Sequence, residues 1–307
     1  MSRVVIVVPC YNEARRLETA RFARFLTERD EVDFLFVNDG SRDDTRSLLE
    51  AFALGRAGRA SVLNLDVNRG KAEAVRRGML AALERRPRYV GFWDADLATP
   101  LEDIPGFCRV LDRRPSLRIV IGSRLPLVGR QIERRRARAL AGRVFALAAS
   151  TALGVWFRDT QCGAKLLRAT PCLADLFADP FVSRWIFDVE VLARLTRYRR
   201  DGASRPLAQL AYEYPLDEWR DVKGSKVLAG DFSKAAMDLA QIYWAYLRPG
   251  ANWRPSTHAL PTGLPADGAA IHGPHELPGP AHATGSASAA PASGPDSADA
   301  LDERQAA

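Results

Sequence analysis

The first 254 residues of this 307-residue chain contain no histidine, since all four histidines lie at or after position 258. Without histidine, this part of the chain cannot build a histidine-ligated zinc site, a Ser-His dyad or a Cys-His dyad. Its charged side chains are carboxylates, lysines and arginines, which suit hard metal ions and phosphate groups. We therefore expect phosphate-centred chemistry, or a reaction whose nucleophile is already ionised.

Cysteines and long apolar runs are also scarce. The four cysteines, Cys10, Cys108, Cys162 and Cys172, form no CxxC pair and no metal-ligand spacing, so we expect a reduced, cytoplasmic setting. The N-terminal sequence MSRVVIVVPCYNEARR lacks the pattern of a signal peptide. No segment reaches the roughly 18 uncharged apolar residues of a membrane span. We expect no transmembrane helix.

Positive charge dominates residues 1–254, which have 43 basic and 31 acidic residues and a net charge of +12. Such a charge suits an anionic substrate, an anionic lipid surface or nucleic acid. Residues 255–307 are rich in Pro, Ala, Gly and Ser and have few large apolar side chains. That composition predicts a disordered tail.

Strand and helix patterns alternate through the first half of the chain. The β-branched run VVIVV at residues 4–8 is typical of a buried parallel strand. We predict further strands at residues 32–37, 61–65, 89–93, 117–121 and 207–214. Helices are predicted at residues 14–27, from 43 or 44 to 54, from 71 onward, and at 104–111, 185–198 and 231–247. This alternation predicts an α/β fold with a mostly parallel sheet and helices on both faces.

Polar residues follow four of the predicted strands, at residues 9–13, 38–41, 68–71 and 94–96. In an open α/β sheet the C-terminal ends of the strands line the ligand crevice, so these segments together predict a nucleotide site. The absence of GxGxxG after the first strand weakens a dinucleotide interpretation, and the absence of GxxxxGK[ST] excludes a P-loop.

The stretch YVGFWDADLATP, residues 89–100, is the centre of this prediction because an apolar strand pattern leads directly into Asp94 and Asp96. Carboxylates at the end of a buried strand must meet water, a base or a cation, because desolvating them costs several kcal/mol. Two at this spacing suit a hard divalent metal that bridges to a diphosphate. Taken alone, the stretch fits two solvated loop aspartates equally well.

Eight motifs in order carry a family resemblance. PCYNEARRL, VNDGSRDDT, NRGKAEAVRRGM and DADLATP resemble the nucleotide-sugar domain of the family 2 glycosyltransferases. GSR, RDTQCGAKLL, RWIFDVEVL and GSK are similar to the dolichyl-phosphate β-glucosyltransferases and, more distantly, to the dolichol-phosphate mannose synthases. The resemblance covers about residues 3–247. It implies a GT-A domain at residues 1–250, with a nucleotide-sugar half at about 1–122 and an acceptor half at about 123–250.

The resemblance also implies a donor of the UDP-glucose or GDP-mannose type, with glucose favoured. Asp96 would bind Mg²⁺ or Mn²⁺ against the diphosphate, and Asp94 would take part in catalysis beside it. The implied nucleotide-sugar ligands all lie in the first half: Pro9, Tyr11, Glu13, Asp39, Lys71 and Asp94.

Arginines of the second half indicate the acceptor. Arg124 ends a predicted strand, and Arg134 and Arg138 lie four residues apart, hence on one helix face. Arginines suit an oxygen-rich anion. The resemblance implies that these three arginines and Lys226 bind the phosphate of a polyprenyl phosphate. The alternative is that these arginines simply form a basic surface exposed to solvent.

An ionised phosphate acceptor needs no catalytic base. Asp188 and Glu190, which we count among the candidate catalytic residues, would then orient the acceptor or sugar, or hold Arg and Lys partners. The first alternative function, transfer to a hydroxyl acceptor in cell-wall or exopolysaccharide synthesis, requires a base such as Asp188, Glu190 or Asp159. The second is nucleic-acid binding; against it, the arginines lack interleaved aromatic residues, and Asp94 and Asp96 would repel phosphate in the absence of a metal. We expect no nucleic-acid partner.

Two segments are candidates for membrane contact. Residues 144–157 carry no charge and residues 231–247 are rich in aromatic residues, but both are too short to span a bilayer. Tyr243, Trp244, Tyr246 and Arg248 suit a membrane interface. We expect membrane-proximal helices and a peripheral position on the cytoplasmic face; the alternative is that these helices pack on the domain or on a second subunit of a homo-oligomer.

Overall fold

The computed structural model describes residues 4–56, 58–133, 136–170, 173–197, 205–220, 231–256 and 270–272. Its strands are β1 (Val4–Cys10), β2 (Val32–Asp39), β3 (Ala60–Leu65), β4 (Tyr89–Phe92), β5 (Ile119–Ser123), β6 (Gln131–Glu133), β7 (Lys165–Arg168), β8 (Ala211–Pro215), β9 (Glu218–Arg220) and β10 (Ala270–His272). Its α-helices are α1 (Thr19–Glu28), α2 (Thr45–Leu54), α3 (Lys71–Glu84), α4 (Ile104–Arg113), α5 (Arg136–Leu153), α6 (Leu173–Ala178), α7 (Phe187–Arg197), α8 (Leu207–Leu210) and α9 (Asp231–Ile242). A π-helix, Tyr243–Leu247, continues α9.

Eight strands form one sheet in the order β10-β3-β2-β1-β4-β7-β5-β8. The neighbours β3–β2, β2–β1, β1–β4 and β5–β8 run parallel. β7 runs antiparallel to both β4 and β5, and β10 runs antiparallel to β3. The predicted mostly parallel sheet is confirmed, and the two halves of the predicted domain share it because β7 lies between β4 and β5.

Alternate residues of β1 belong to two separate apolar clusters. Val4, Ile6 and Val8 pack in the cluster that contains buried residues of α1, α2 and α4. Val5 and Val7 pack in the cluster that contains residues of α3, α5, α6, α7 and α9. A strand between two helical layers must be apolar on both sides, which explains the continuous VVIVV run. The predicted helices on both faces are confirmed.

The strand β7 was not predicted, because it has only four residues and follows the polar, glycine-bearing stretch at residues 158–164. Gly91 of β4 permits the close pairing with β7: a Cβ on Gly91 would lie 2.2 Å from the Lys165 carbonyl oxygen. Two boundaries also differ. Residues 14–18 precede α1 because the Glu13 carbonyl already accepts the amides of Arg16 and Leu17 in a turn, and residues 207–210 form α8 instead of a strand.

Within the predicted tail, most residues lie outside the described ranges, but Ala270–His272 forms the edge strand β10. No helix in the described ranges is long and apolar enough to cross a membrane.

Candidate active site

The loop after β1 packs against the loop after β2. The Asn12 amide donates to Ser41 Oγ (3.1 Å), and the Glu13 amide donates to Thr45 Oγ1 (2.7 Å). Because β1 and β2 are parallel neighbours, both loops lie at the same edge of the sheet. The structure therefore places the predicted nucleotide ligands of this segment at that edge: Pro9, Tyr11 and Glu13.

Asp39, the last residue of β2, holds the loop that leads to α3. Its carboxylate oxygens accept the amides of Arg69 and Gly70, each at 2.8 Å. Burial raises the pKa of Asp39, although these two hydrogen bonds act in the opposite direction. The next residue, Gly40, has a φ of +60°, and a Cβ there would lie 2.4 Å from the Val67 carbonyl carbon. Asp39 thus shapes the β3–α3 loop, and its predicted contact with the nucleotide stays a prediction.

This loop places Lys71, the first residue of α3, opposite Asp94. Lys71 Nζ lies 2.5 Å from Asp94 Oδ1. Burial lowers the pKa of Lys71, but the carboxylates of Asp94 and Asp188 outweigh that effect and raise it, so the lysine carries its charge at neutral pH. The Asp94 carboxylate rests on Gly163, where a Cβ would lie 1.8 Å from Oδ2. Both charged side chains stay partly exposed, at 43% and 32%, and can meet a ligand.

Asp96 lies in the turn after β4, where its Oδ1 accepts the Ala98 amide (3.1 Å). Burial and the neighbouring Asp94 carboxylate raise the pKa of Asp96. A bound cation would relieve this repulsion. In the described ranges, no group of three or more His, Cys, Asp and Glu side chains could hold a metal. The two aspartates nevertheless fit Mg²⁺ or Mn²⁺, because such ions are commonly held by one or two carboxylates together with substrate phosphates.

Asp188, near the start of α7, is paired with a lysine that the sequence analysis did not single out. The Nζ of Lys165 lies 2.6 Å from Asp188 Oδ1 and donates to the Cys162 carbonyl oxygen, also at 2.6 Å. Lys165 is fully buried on β7, and a buried ammonium requires such partners. Asp188 therefore holds a lysine, which is one of the two roles that we left open.

Glu190 does not face the crevice. Its side chain is fully buried. Its Oε1 accepts hydrogen bonds from Arg194 Nη2 (2.8 Å), the Tyr246 hydroxyl (2.7 Å) and the Val182 amide (3.1 Å), and its Oε2 accepts the Ser183 amide (3.0 Å). Glu190 thus holds an arginine partner, one of the two roles that we left open for it, and its enclosed carboxylate does not face the predicted substrate site. Glu190 instead joins the segment before α7 to the π-helix.

Arg124, directly after β5, is bound to Asp159. Its Nε lies 2.5 Å from Asp159 Oδ2, and its Nη2 lies 2.7 Å from Oδ1. The guanidinium also lies 5.3 Å from the centroid of the Trp219 ring. Burial lowers the pKa of Arg124, but the Asp159 carboxylate outweighs this and raises it. An acceptor phosphate at Arg124 would have to share the guanidinium with Asp159.

The other predicted acceptor ligands are not located. Arg134 and Lys226 lie outside the described residues, and for Arg138 the structure describes only the backbone, within α5. Glu213 of β8 was not predicted as a site residue, yet its carboxylate accepts the amides of Arg158 (3.0 Å) and Asp159 (2.8 Å). Glu213 thus positions the residue that binds Arg124; no local motif marks it.

An apolar groove of about 760 Å³ lies between α5 and the α9–π-helix segment. Several of its lining side chains are strongly exposed, including Leu140 (64%), Val144 (63%) and Trp244 (63%). These helices overlap the two segments that are candidates for membrane contact, residues 144–157 and 231–247.

Comparison with known proteins places the chain in a family. The model of Glycosyl transferase family 2 matches residues 5–162. The chain is 32% identical over 261 residues to the dolichyl-phosphate beta-glucosyltransferase of Dictyostelium discoideum, covering 79% of this chain and 74% of the relative. With the enzyme of the same name from Drosophila melanogaster it is 33% identical over 259 residues, with the same two coverages.

Solved structures of glucosyl-3-phosphoglycerate synthase from Mycobacterium tuberculosis share the fold. The complex with UDP has a TM-score of 0.55 at 20% identity, covering 79% of this chain and 80% of that one. The complex with Mn²⁺, UDP-glucose and phosphoglyceric acid has a TM-score of 0.56 at 19% identity, with the same coverages. The GT-A fold is thereby confirmed. With the crevice at the strand ends and these relatives, the chain belongs to glycosyl transferase family 2 and is a glycosyltransferase.

Proposed function

We propose that this glycosyltransferase transfers glucose from a nucleotide sugar, of the UDP-glucose type, to a polyprenyl phosphate, with inversion at C1. Relatives about 30% identical over about 80% of the chain are named dolichyl-phosphate beta-glucosyltransferases. Structural neighbours were solved with UDP-glucose and Mn²⁺. The names of the relatives support the glucosyl group and the acceptor, and the structural neighbours support the UDP-glucose donor.

The proposed nucleotide-sugar donor is supported by Lys71, Asp94 and Asp96, which lie at the C-terminal edge of the parallel strands. The Lys71 ammonium, which pairs with Asp94 at 2.5 Å, is placed to attract the negative charge of the diphosphate. Asp94 and Asp96 would hold Mg²⁺ or Mn²⁺, which when bound neutralises charge on the departing nucleoside diphosphate.

The proposed phosphate acceptor rests on one observation. The three carboxylates that a hydroxyl acceptor could use as a base are all bound to a cation. Each of them is ion-paired: Asp159 with Arg124, Asp188 with Lys165 and Glu190 with Arg194. A hydroxyl must lose a proton during attack, whereas a phosphate monoester oxygen is already ionised at neutral pH. In the proposed step this oxygen bonds to C1 while the bond from C1 to the nucleoside diphosphate breaks, and the electron pair leaves with the diphosphate. No proton has to move.

The groove between α5 and α9 supports a lipid acceptor. Its exposed Val144 and Trp244 suit an isoprenoid chain or the outer part of a bilayer. Arg248 lies 5.4 Å from the centroid of the Trp244 ring, a pairing typical of a membrane interface. We infer a peripheral position on the cytoplasmic face of a membrane, with the groove toward the lipid.

A panel of donors and acceptors tests the proposal. The full chain is incubated with Mg²⁺ or Mn²⁺, with UDP-glucose or GDP-mannose, and with a short polyprenyl phosphate, and the products are identified by mass. Matched reactions contain the corresponding free polyprenol or 3-phosphoglycerate instead. We expect a hexosyl product from UDP-glucose and polyprenyl phosphate alone. A product from the polyprenol at an equal rate would contradict the proposed acceptor chemistry.

A further inference from the structure

The peptide unit between Arg69 and Gly70, which opens the donor-site helix α3, is held from both sides. Its N–H, that of Gly70, donates to Asp39 Oδ2 (2.8 Å). Its carbonyl oxygen, that of Arg69, accepts a hydrogen bond from Arg184 Nη2 (2.8 Å). A planar peptide unit that is bonded through both polar groups has a defined orientation. Because Lys71 follows directly, the orientation of this peptide determines the position of the Lys71 backbone, from which the side chain extends into the donor site.

The residue before Arg184 is held by the C-terminal helix. Ser183 Oγ donates to Asp238 Oδ2 of α9 (2.6 Å) and accepts the amide of Ile186 (2.9 Å), the residue directly before α7. The Ser183 amide donates to Glu190, and the side chain is 1% exposed. Ser183 is thus bonded at its backbone and at its side chain, and Arg184 extends from an anchored position.

The helix that holds Ser183 also forms one wall of the apolar groove. Asp238 lies on the same helix, within a few residues of these lining side chains: Ala236, Leu239 and Ala240. The π-helix that follows α9 is also linked to Ser183, through Glu190. The Tyr246 hydroxyl donates to Glu190 Oε1 (2.7 Å), and the Ser183 amide donates to Oε2 of the same carboxylate. A ligand in the groove therefore contacts the element that anchors Ser183, and a ligand at Lys71 contacts the loop that Arg184 holds.

We propose that Ser183 and Arg184 form a mechanical link between the groove and the donor site, so that an acceptor in the groove strengthens binding of the nucleotide sugar. The inference rests on the proposed function for the identity of the two ligands. Arg184 acts in it as a positioning residue, through the Arg69–Gly70 peptide. Since coupling between two binding sites is reciprocal, the nucleotide sugar strengthens acceptor binding by the same factor.

Calorimetric titration of the full chain with Mn²⁺ and a UDP-glucose analogue that cannot be transferred, because CH₂ replaces its anomeric oxygen, tests the link with and without a short polyprenyl phosphate. In the wild type we expect the acceptor to lower the donor Kd about fivefold or more. Arg184→Ala should raise the donor Kd about tenfold, because it removes a charge-assisted hydrogen bond, and should abolish the effect of the acceptor. Asp238→Ala should abolish that effect while raising the donor Kd only about threefold.

The double variant separates a link from two independent structural roles. If both residues act along one path, Arg184→Ala with Asp238→Ala should bind the donor no more weakly than Arg184→Ala alone; independent roles would multiply the two factors. Asp238→Asn, which keeps the acceptor oxygen for Ser183, should retain the coupling. Arg24→Ala serves as the control, because Arg24 is an exposed arginine of α1 with a 67% exposed side chain.

The outcomes distinguish this inference from the proposed function. Absence of UDP-glucose binding to the wild type would contradict the proposed function itself. Wild-type donor binding that is insensitive to the acceptor, or multiplicative effects in the double variant, would overturn the link alone. Thermal unfolding of each variant confirms that it is folded; if Arg184→Ala unfolds early, Arg184→Lys provides the same comparison with the charge retained.

Discussion

The guanidinium of Arg124 and the carboxylate of Asp159 form a two-point ion pair, with N–O distances of 2.5 and 2.7 Å, and both side chains are largely buried, at 14% and 7% exposure. Removing one partner of a buried pair leaves an uncompensated charge. We expect Arg124→Ala to lower the free energy of unfolding by about 3 kcal/mol, measured by urea denaturation. Arg24→Ala, at an exposed site, should change it by less than about 0.5 kcal/mol. A stable Arg124→Ala variant with a raised acceptor KM would instead indicate that Arg124 serves mainly the acceptor.

Asp96→Asn should raise the activation free energy of the transfer by about 2–4 kcal/mol, because it removes a charged metal ligand. EDTA should have a similar effect on the wild type, and added Mg²⁺ or Mn²⁺ should restore the rate. Initial-rate assays with UDP-glucose measure both effects, with Asp30→Asn on the surface as the control. Full activity in EDTA would refute the metal role of Asp96.

Gly163→Ala should impair the donor site while leaving the fold intact. The new Cβ would lie 1.8 Å from Asp94 Oδ2, so the carboxylate must leave its present position, in which it pairs with Lys71. We expect the UDP-glucose Kd to rise tenfold or more, in keeping with the roughly 1–3 kcal/mol cost of overpacking. Gly55→Ala is the matched control, since its Cβ would approach only the Phe52 carbonyl, at 3.9 Å. Equal donor affinity in the two variants would show that the Asp94 position is unimportant.

Asp103, at the start of α4, makes stability depend on pH. Burial, with a smaller contribution from the charge of Glu102, raises the pKa of Asp103 from 3.8 to about 6, and its Oδ2 has no hydrogen-bond partner in the described part of the chain. Between pH 4 and 6 the folded state therefore binds more protons than the unfolded state, and stability falls as pH rises.

Asp103→Asn should remove this decrease and raise the free energy of unfolding at pH 7 by about 1–3 kcal/mol, with little change at pH 4. Urea denaturation at the two pH values measures the difference. A loss of stability at pH 7 would mean that the ionised carboxylate has a partner and is favourable.

Val144→Glu should weaken binding to anionic phosphatidylglycerol vesicles about tenfold, because it puts a charge on the apolar face of the groove. Val144 is 63% exposed, so the fold should tolerate the change. Leu54→Glu is the matched control, at an 81% exposed position on α2. Vesicle flotation measures the bound fraction. Equal binding of the two variants would place the membrane contact elsewhere and would favour a second copy of the chain as the occupant of the groove.

The sequence by itself determined the layers of the fold and the position of the donor site. The VVIVV run could only be satisfied between two apolar layers, and parallel strands bring their C-terminal ends to one edge. Asp39, Lys71 and Asp94 therefore had to lie near one another, whatever the details of the loops. These inferences depend on local periodicity and on a rule of topology, both of which a sequence contains.

Only the tertiary structure decided which charges are free and which are paired. Lys165 and Asp188 meet because β7 inserts antiparallel between β4 and β5 and brings the lysine to α7. Glu190 is enclosed because the π-helix returns over α7 and places Tyr246 against it. Such pairings join residues up to 56 positions apart, and a carboxylate looks the same in a sequence whether it faces a substrate or an arginine. Burial and the identity of the partner, which decide its chemistry, arise only when the chain has folded.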